Sequence, residues 1–337
     1  MKIAVNTRLI IKDKFCGISW FAYESLKRIT QNHPEHEFLF IFDRPFSDEY
    51  VFGDNVTPIV TGPPTRHPFL WHWWNSISVP MALRKHKPDL FLSPDGFLPL
   101  KTAVKTLNVI HDVGFEHHRE NLPWLERMYY RRYFSKFAKQ STRLDTISEF
   151  SKTDIMNTYS IPSEKIDVVF DGVNENYKPL TIEQKKSVQY EYTGGNEYFI
   201  SVGRQHVRKN THLLLEAFDA FKSAFPSSTK LVIVGHKKWQ SKKVKDVFDK
   251  LKYQEDIIFT GRIDAKSLAN IMASSLSLIH LSYYEGFALA PIEAMSCDTP
   301  VISINSTSMP EIVGDAALYV DMILSKMVWF KCMRTQT

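Results

Sequence analysis

The strongest constraint on the fold is a pattern that runs through the chain twice. Short apolar runs alternate with helix-length stretches over residues 1–173, and the alternation starts again over 197–321. Between the two series lies a polar, weakly periodic segment, 174–196, which contains Thr193-Gly194-Gly195 and reads as an interdomain connection.

In the first series, strands are expected at 2–6, 37–43, 88–92, 105–110, 143–147 and 165–170, with a helix over about 19–30. In the second, strands are expected at 198–202, 230–234, 256–260, 277–281 and 300–304, with a helix over 211–225 whose Leu213, Leu214, Ala217, Phe218 and Phe221 share one face. Strands separated by helices specify a parallel sheet with crossover connections. Two such series therefore specify an α/β chain of two Rossmann-like domains facing a cleft, with ligands at the carboxyl ends of the strands. At 337 residues the chain is long enough to bury a core in each. The last residues, 322–337, keep a helical spacing but lose the amphipathic rhythm, so the C-terminal domain is expected to be shortened and to end in an atypical tail.

Composition narrows the function classes. The net charge of +5 is dispersed along the chain, so no nucleic-acid partner is expected, and a basic protein of this kind suits anionic nucleotides or anionic lipid. The three cysteines, Cys16, Cys297 and Cys332, lack metal-site spacing, and an odd count argues against a disulfide framework. The histidines are scattered, and His117-His118 reads as a pair of exposed loop residues. The N-terminal apolar run is too short for a signal peptide, and no apolar stretch is long enough to span a bilayer. The expected location is cytoplasmic, with the inner membrane surface as the alternative.

The chemistry concentrates in two segments of the second series. Glu285-Gly286-Phe287-Ala288-Leu289-Ala290-Pro291-Ile292-Glu293 places two carboxylates around a turn into a helix expected to begin near Ala290-Pro291. Free amides before that helix suit an anion, and a carboxylate accepts two hydrogen bonds from a vicinal diol. The structural alternative is a solvated loop carboxylate at 285 and a dipole-favoured one on the first helical turn at 293. Upstream, Gly203 permits close backbone approach, Arg204 can fork two phosphate oxygens, and Lys209 adds a point charge. Taken alone, Arg208 and Lys209 read first as a hydrated basic loop before a helix, and only the two-glutamate element turns the reading toward phosphate.

The first series offers less. His111-Asp112 follows an expected strand, where an imidazole can meet a sugar hydroxyl, although taken alone a structural role is the preferred reading. Gly17-Ile18 precedes a helix and can bring amides to a phosphate or simply start that helix. Leu70-Trp71-His72-Trp73-Trp74, with Ile77, Val79-Pro80 and Leu83, is either a core-facing helix, the preferred reading, or a surface for membrane or lipid-linked acceptor.

Together these pieces resemble the retaining glycosyltransferases of the two-Rossmann GT-B architecture, in the large family that includes bacterial mannosyltransferases and sucrose synthases. The resemblance rests on Gly17-Ile18, His111-Asp112, Thr146-Ile147-Ser148-Glu149-Phe150-Ser151 and Asp171-Gly172-Val173-Asn174. It continues through Val202-Gly203-Arg204, Arg208-Lys209-Asn210, the two-glutamate element, and Thr299-Pro300-Val301-Ile302 to Met309-Pro310-Glu311. It implies that Arg204 and Lys209 neutralise a donor diphosphate, that Glu293 holds the ribose, and that Glu285 meets the transferred sugar. It further implies that the amides of the Gly286-Phe287-Ala288-Leu289 turn face sugar and phosphate and that His111 sits by the reacting carbon. Gly17 would approach phosphate or acceptor, and Gly203, Gly261 and Arg262 would border the base pocket. The sequence departs from the family at Ala288 and Ala290, where Gly and Pro are usual, and at Asp298, where Gly is common at a helix end.

The expectation is thus a metal-independent retaining hexosyltransferase without cofactor, using a GDP-, UDP- or TDP-linked sugar as substrate, with mannose foremost. The expected partners are the nucleotide sugar and a glycan or lipid-linked acceptor, with peripheral membrane association. The alternatives are a nucleotide-sugar epimerase or hydrolase, and a non-catalytic nucleotide- or glycan-binding homologue.

Overall fold

The computed structural model describes residues 1–12, 15–118, 122–203, 207–235 and 242–320. They fall into two compact units, Met1–Asp171 and Gly172–Thr337.

Unit 1 runs β1 (Lys2–Asn6), α1 (Gly17–Asn32), β2 (Glu37–Phe42), β3 (Val56–Val60), α2 (Pro68–Trp73), a π-helical turn (Trp74–Ser78), α3 (Val79–His86) and β4 (Leu90–Ser93). It continues with β5 (Lys105–Val109), α4 (Gly114–His117), α5 (Trp124–Gln140), β6 (Arg143–Thr146), α6 (Glu149–Tyr159) and β7 (Ile166–Val168). The seven strands form one sheet in the order β3-β2-β1-β4-β5-β6-β7. All neighbours are parallel. Strand periodicity sends Ile3, Val5, Phe38, Phe40 and Phe42 to one face, against Ala22 and Leu26 of α1. Ala4, Leu39 and Ile41 go to the other, against Trp74, Val79, Leu83 and Phe137. Helices cover both faces, which is why β2 is apolar at nearly every position.

Unit 2 repeats the plan with α7 (Ile182–Thr193), β8 (Tyr198–Val202), α8 (Thr211–Ala224), β9 (Lys230–Val234), α9 (Lys242–Phe248) and β10 (Ile257–Gly261). Then come α10 (Ala265–Ala273), β11 (Ser277–His280), α11 (Leu289–Ser296), β12 (Val301–Ile304), α12 (Met309–Val313) and β13 (Ala317–Val320). Its sheet order is β10-β9-β8-β11-β12-β13. Phe199, Leu231 and Ile233 pack on Leu214, Leu215 and Phe218 of α8. Tyr198, Ile200, Val232 and Val234 pack on the α10–α11 side, with Met272 and Ala294. Two doubly wound parallel sheets are as expected from the sequence.

Several elements differ from expectation. Both β3 and β13 were missed, and both are edge strands. Pro58 interrupts the strand signal of β3, and an edge tolerates its missing N–H. The supposed connection, 174–196, holds α7, closed at its start by a reciprocal capping box between Thr181 and Gln184. Gln189 of α7 donates to the Ser274 carbonyl beyond α10, so the segment is built into unit 2. The Trp-rich stretch is helical and uses both its faces: Trp74 is fully buried, its indole N–H donating to the Thr61 carbonyl, whereas Trp73 is 54% exposed. Residues 322–337 lie outside the described residues.

Candidate active site

In unit 2 the strand order reverses between β8 and β11, and a doubly wound sheet opens a crevice at the carboxyl ends of such a pair. Glycines with positive φ close three strands in succession: Gly203 at 132° and Gly235 at 141° directly follow β8 and β9, and Gly261 at 72° is the last residue of β10. Gly203 N–H donates to Val234 and Gly235 N–H to Gly261, so the three ends are laced together. A Cβ on Gly203 would lie 3.3 Å from Lys209 Cε. Glycine there lets the lysine fold back against the strand end.

The loop after β8 is tied to the loop after β11. Asn210 takes the left-handed conformation at the start of α8, with φ of 51°, and its side-chain amide donates to the Leu281 carbonyl at 2.9 Å. Tyr283 N–H donates to the Arg208 carbonyl at 3.0 Å. These bonds bring Lys209 Nζ to 2.6 Å from Glu285 Oε1, and Arg208 Nη1 to 3.4 Å from Glu285 Oε2. Arg208 and Lys209 are therefore engaged by a carboxylate rather than simply hydrated.

Glu285 is only 5% exposed. Burial alone would raise its pKa, but the Lys209 and Arg208 cations outweigh it and hold the carboxyl at about 2. Its backbone is clamped as well: the N–H donates to Thr307 Oγ1 at 3.2 Å, and Ser308 Oγ donates to its carbonyl at 2.9 Å. Thr307 has φ of 52°, a conformation costly for a β-branched residue. His280, buried at the end of β11, lies 3.8 Å from Glu285 Oε1. Burial and the nearby Lys209 charge push its pKa down to about 3, so the ring is neutral.

The second glutamate stands elsewhere than expected. Helix α11 begins at Leu289, earlier than Ala290-Pro291, with the buried Ala288 before it and no side-chain cap. Glu293 is thus the fifth residue of α11, beyond the first turn. Its carboxyl is hydrogen-bonded with Tyr177, and burial raises its pKa to about 7. Gly286 and Phe287 lie in the turn between Glu285 and α11, and Arg262 directly follows β10. Asp298 has φ of 55°, the left-handed conformation anticipated where a glycine is usual. Arg204 lies outside the described residues. Unit 2 thus brings together Gly203, Lys209 and Glu285, adds Arg208 and His280, and sets Glu293 against Tyr177.

In unit 1 the reversal falls between β1 and β4, and it gathers residues that the sequence reading passed over. Arg8 Nε donates to Asp95 Oδ2 at 2.6 Å, with both side chains buried and the guanidinium 3.9 Å above the Phe97 ring centre. Asn6 Nδ2 donates to Asp95 Oδ1 at 2.7 Å. Arg8 and Asp95 each stand two residues past a strand end, a positional signal open to a reader who had paired β1 with β4. His111 follows β5, and its Nε2–H donates to the Pro94 carbonyl at 2.8 Å. That bond leaves Nδ1 as the acceptor nitrogen, and burial lowers the ring's pKa, keeping it neutral. Gly17 is the first residue of α1 and has open space where a Cβ would sit. Apart from these residues, His33, Glu35 and His36 set three ligand-type atoms within 4.8 Å of one another on the exposed turn after α1.

Paired Rossmann-like units of this kind define the GT-B class. WaaG, a glycosyltransferase involved in lipopolysaccharide biosynthesis, matches with a TM-score of 0.76 at 15% identity, over 99% of this chain and 90% of its own. Anabaena Alr3699/HepE, solved in complex with UDP and glucose, matches with a TM-score of 0.75 at 16% identity, over 100% and 91%. Residues 183–321 match the family Glycosyl transferases group 1, and residues 16–177 match Glycosyltransferase Family 4. The chain belongs to this glycosyltransferase family. O-antigen chain mannosyltransferase B of Escherichia coli is 27% identical over 243 residues, which cover 71% of this chain and 63% of that protein, less than two thirds of its length.

Proposed function

We propose that the protein is a retaining glycosyltransferase that moves a sugar, mannose from GDP-mannose foremost, from a nucleotide sugar to a growing glycan or lipid-linked oligosaccharide in surface-polysaccharide biosynthesis. The observation that carries this reading is the Lys209–Glu285 pair at the strand reversal of unit 2. It sets a cation suited to phosphate beside an acceptor suited to sugar hydroxyls. The choice of mannose is supported by the likeness to a named mannosyltransferase.

In this mechanism the acceptor hydroxyl attacks the anomeric carbon on the face from which the diphosphate departs. The new C–O bond forms as the bond to phosphate breaks, and the hydroxyl proton passes to a leaving phosphate oxygen. Arg204 and Lys209 stabilise the charge that develops on that phosphate, so the scheme requires neither metal nor organic cofactor. Glu285, held ionised, accepts hydrogen bonds from the sugar, and Glu293 takes the ribose diol. The Gly286-Phe287-Ala288-Leu289 turn and Gly17 serve sugar and phosphate, while Gly203, Gly261 and Arg262 border the base. Neutral His111 offers Nδ1 to a sugar hydroxyl. The acceptor implies work at the cytoplasmic face of a membrane.

Calorimetric titration of the full chain with GDP, UDP and TDP tests the donor site. One nucleotide should bind selectively, and Lys209→Gln and Glu293→Gln should each weaken it by about ten-fold or more. A folded chain that binds none of the three, or binds one with both variants unaffected, overturns the assignment.

A further inference from the structure

The continuous helix formed by α2, the π turn and α3 buries Trp74, Val79 and Leu83 in the core of unit 1. Its opposite face stays in solvent: Phe69 is 70% exposed, Trp73 54%, Ile77 41% and Met81 57%. These four side chains recur every fourth residue. In an unbroken α-helix that spacing drifts about 40° per step around the axis. The more loosely wound turn Trp74–Ser78 opposes the drift, so the four stay on one side.

The surroundings of this row are cationic. Residues 66–88 contain no Asp or Glu. Exposed Arg66 stands at the start of the row, and exposed Arg84, Lys85 and Lys87 stand at its end. Helix α5 packs alongside, Trp71 against Tyr129 at 5.7 Å and His72 against Tyr133 at 5.1 Å between ring centres. It leaves Trp124 62% and Met128 51% exposed, followed by exposed Arg131 and Arg132. Glu126 is the carboxylate on that helix, and burial raises its pKa. A narrow row of large apolar side chains with cations at both ends matches the headgroup–acyl boundary of a bilayer that carries negative lipid. Tryptophan, apolar with one polar edge, suits that boundary as well.

We propose that this face of unit 1 docks on an anionic lipid bilayer, with the row from Phe69 to Met81 seated below the headgroups and the flanking cations among the phosphates. The proposal deepens the functional reading, on which it rests for its purpose, by naming the surface at which a lipid-borne acceptor is met.

Flotation of the full chain with vesicles of phosphatidylglycerol and phosphatidylethanolamine, against pure phosphatidylcholine, tests it without any donor. The chain should float with the anionic vesicles, and the double variant Trp73→Ser/Ile77→Ser should partition on the order of ten-fold less. Replacing Arg84 and Lys85 by Gln should cost about five-fold for each charge, and added salt should act in the same direction. Bromine-labelled lipid should quench the wild-type fluorescence more than that of Trp73→Phe. All these side chains are exposed, so far-UV circular dichroism and nucleotide binding should be unchanged in every variant.

A chain that ignores anionic vesicles, or floats equally well with Trp73→Ser/Ile77→Ser, overturns the proposal. So does self-association that depends on Trp73 without vesicle binding, which would give the face to a second copy. Nucleotide binding without vesicle binding sinks the docking surface alone; vesicle binding without nucleotide binding sinks the donor site alone.

Discussion

Burial holds the Glu293 carboxyl at about 7, and the hydrogen bond with Tyr177 only partly opposes it. The unfolded chain loses that proton near the ordinary glutamate value, about 4.3, so the protein's stability is full below that pH and falls as pH rises to 7. We expect urea unfolding between pH 5 and 8 to show a loss of about 1–3 kcal/mol from this group, and Glu293→Gln to remove it. A slope that persists in the variant would show that another group is responsible. Glu285 is the opposite case, a buried carboxylate kept ionised by its cations. Lys209→Met should destabilise the chain by roughly 2–4 kcal/mol by leaving that charge poorly compensated, and Lys209→Met/Glu285→Gln should recover most of the loss, as a double-mutant cycle in urea would read. Lys209 and Glu285 were legible in the sequence because each follows a strand whose apolar run is plain. The Tyr177 contact of Glu293 and the Arg8–Asp95 pair were not, because each joins segments that only the tertiary fold brings together.

Among the elements, the central strands and the edge strands β7 and β10 were readable from their apolar runs, while the edge strands β3 and β13 were not. β3 carries Pro58, and β13 is four residues long with a pattern too brief to distinguish from a loop. The start of α11 was misplaced because Pro291 resembled a first helical residue; it is the third, where an N–H is equally dispensable. That small shift moved Glu293 off the first turn and undercut the dipole argument for it. Helix ends also show where the chain is strained. Exposed Ser160 ends α6 in the left-handed conformation, with φ of 55°, where glycine has no Cβ to accommodate. Ser160→Gly should therefore stabilise unit 1 by about 1 kcal/mol, visible as a rise in its melting temperature; an unchanged or lower value would mean the strain is relieved elsewhere.

At the scale of the whole molecule, each unit carries hydrophobic clusters of its own among the described residues. Each unit has its own core, so calorimetric melting should resolve two transitions. The preferred nucleotide at a hundred times its Kd should raise the unit 2 transition by the equivalent of about 2.7 kcal/mol and leave the other in place. A single transition that shifts as one would show that the units unfold together. The contact between Lys209 and Glu285 has a consequence for what the molecule notices. On the proposed function, a lone anion drawing off Lys209 would leave the buried Glu285 to Arg208 alone, and a lone sugar drawing off Glu285 would leave Lys209 without its carboxylate, so neither would gain much by breaking the pair. A ligand that offers phosphate and hydroxyls at the correct separation satisfies both at once. On that function the ion pair would work as a two-key lock, indifferent to the phosphate and free sugar that fill a cell and responsive to the molecule in which they are joined.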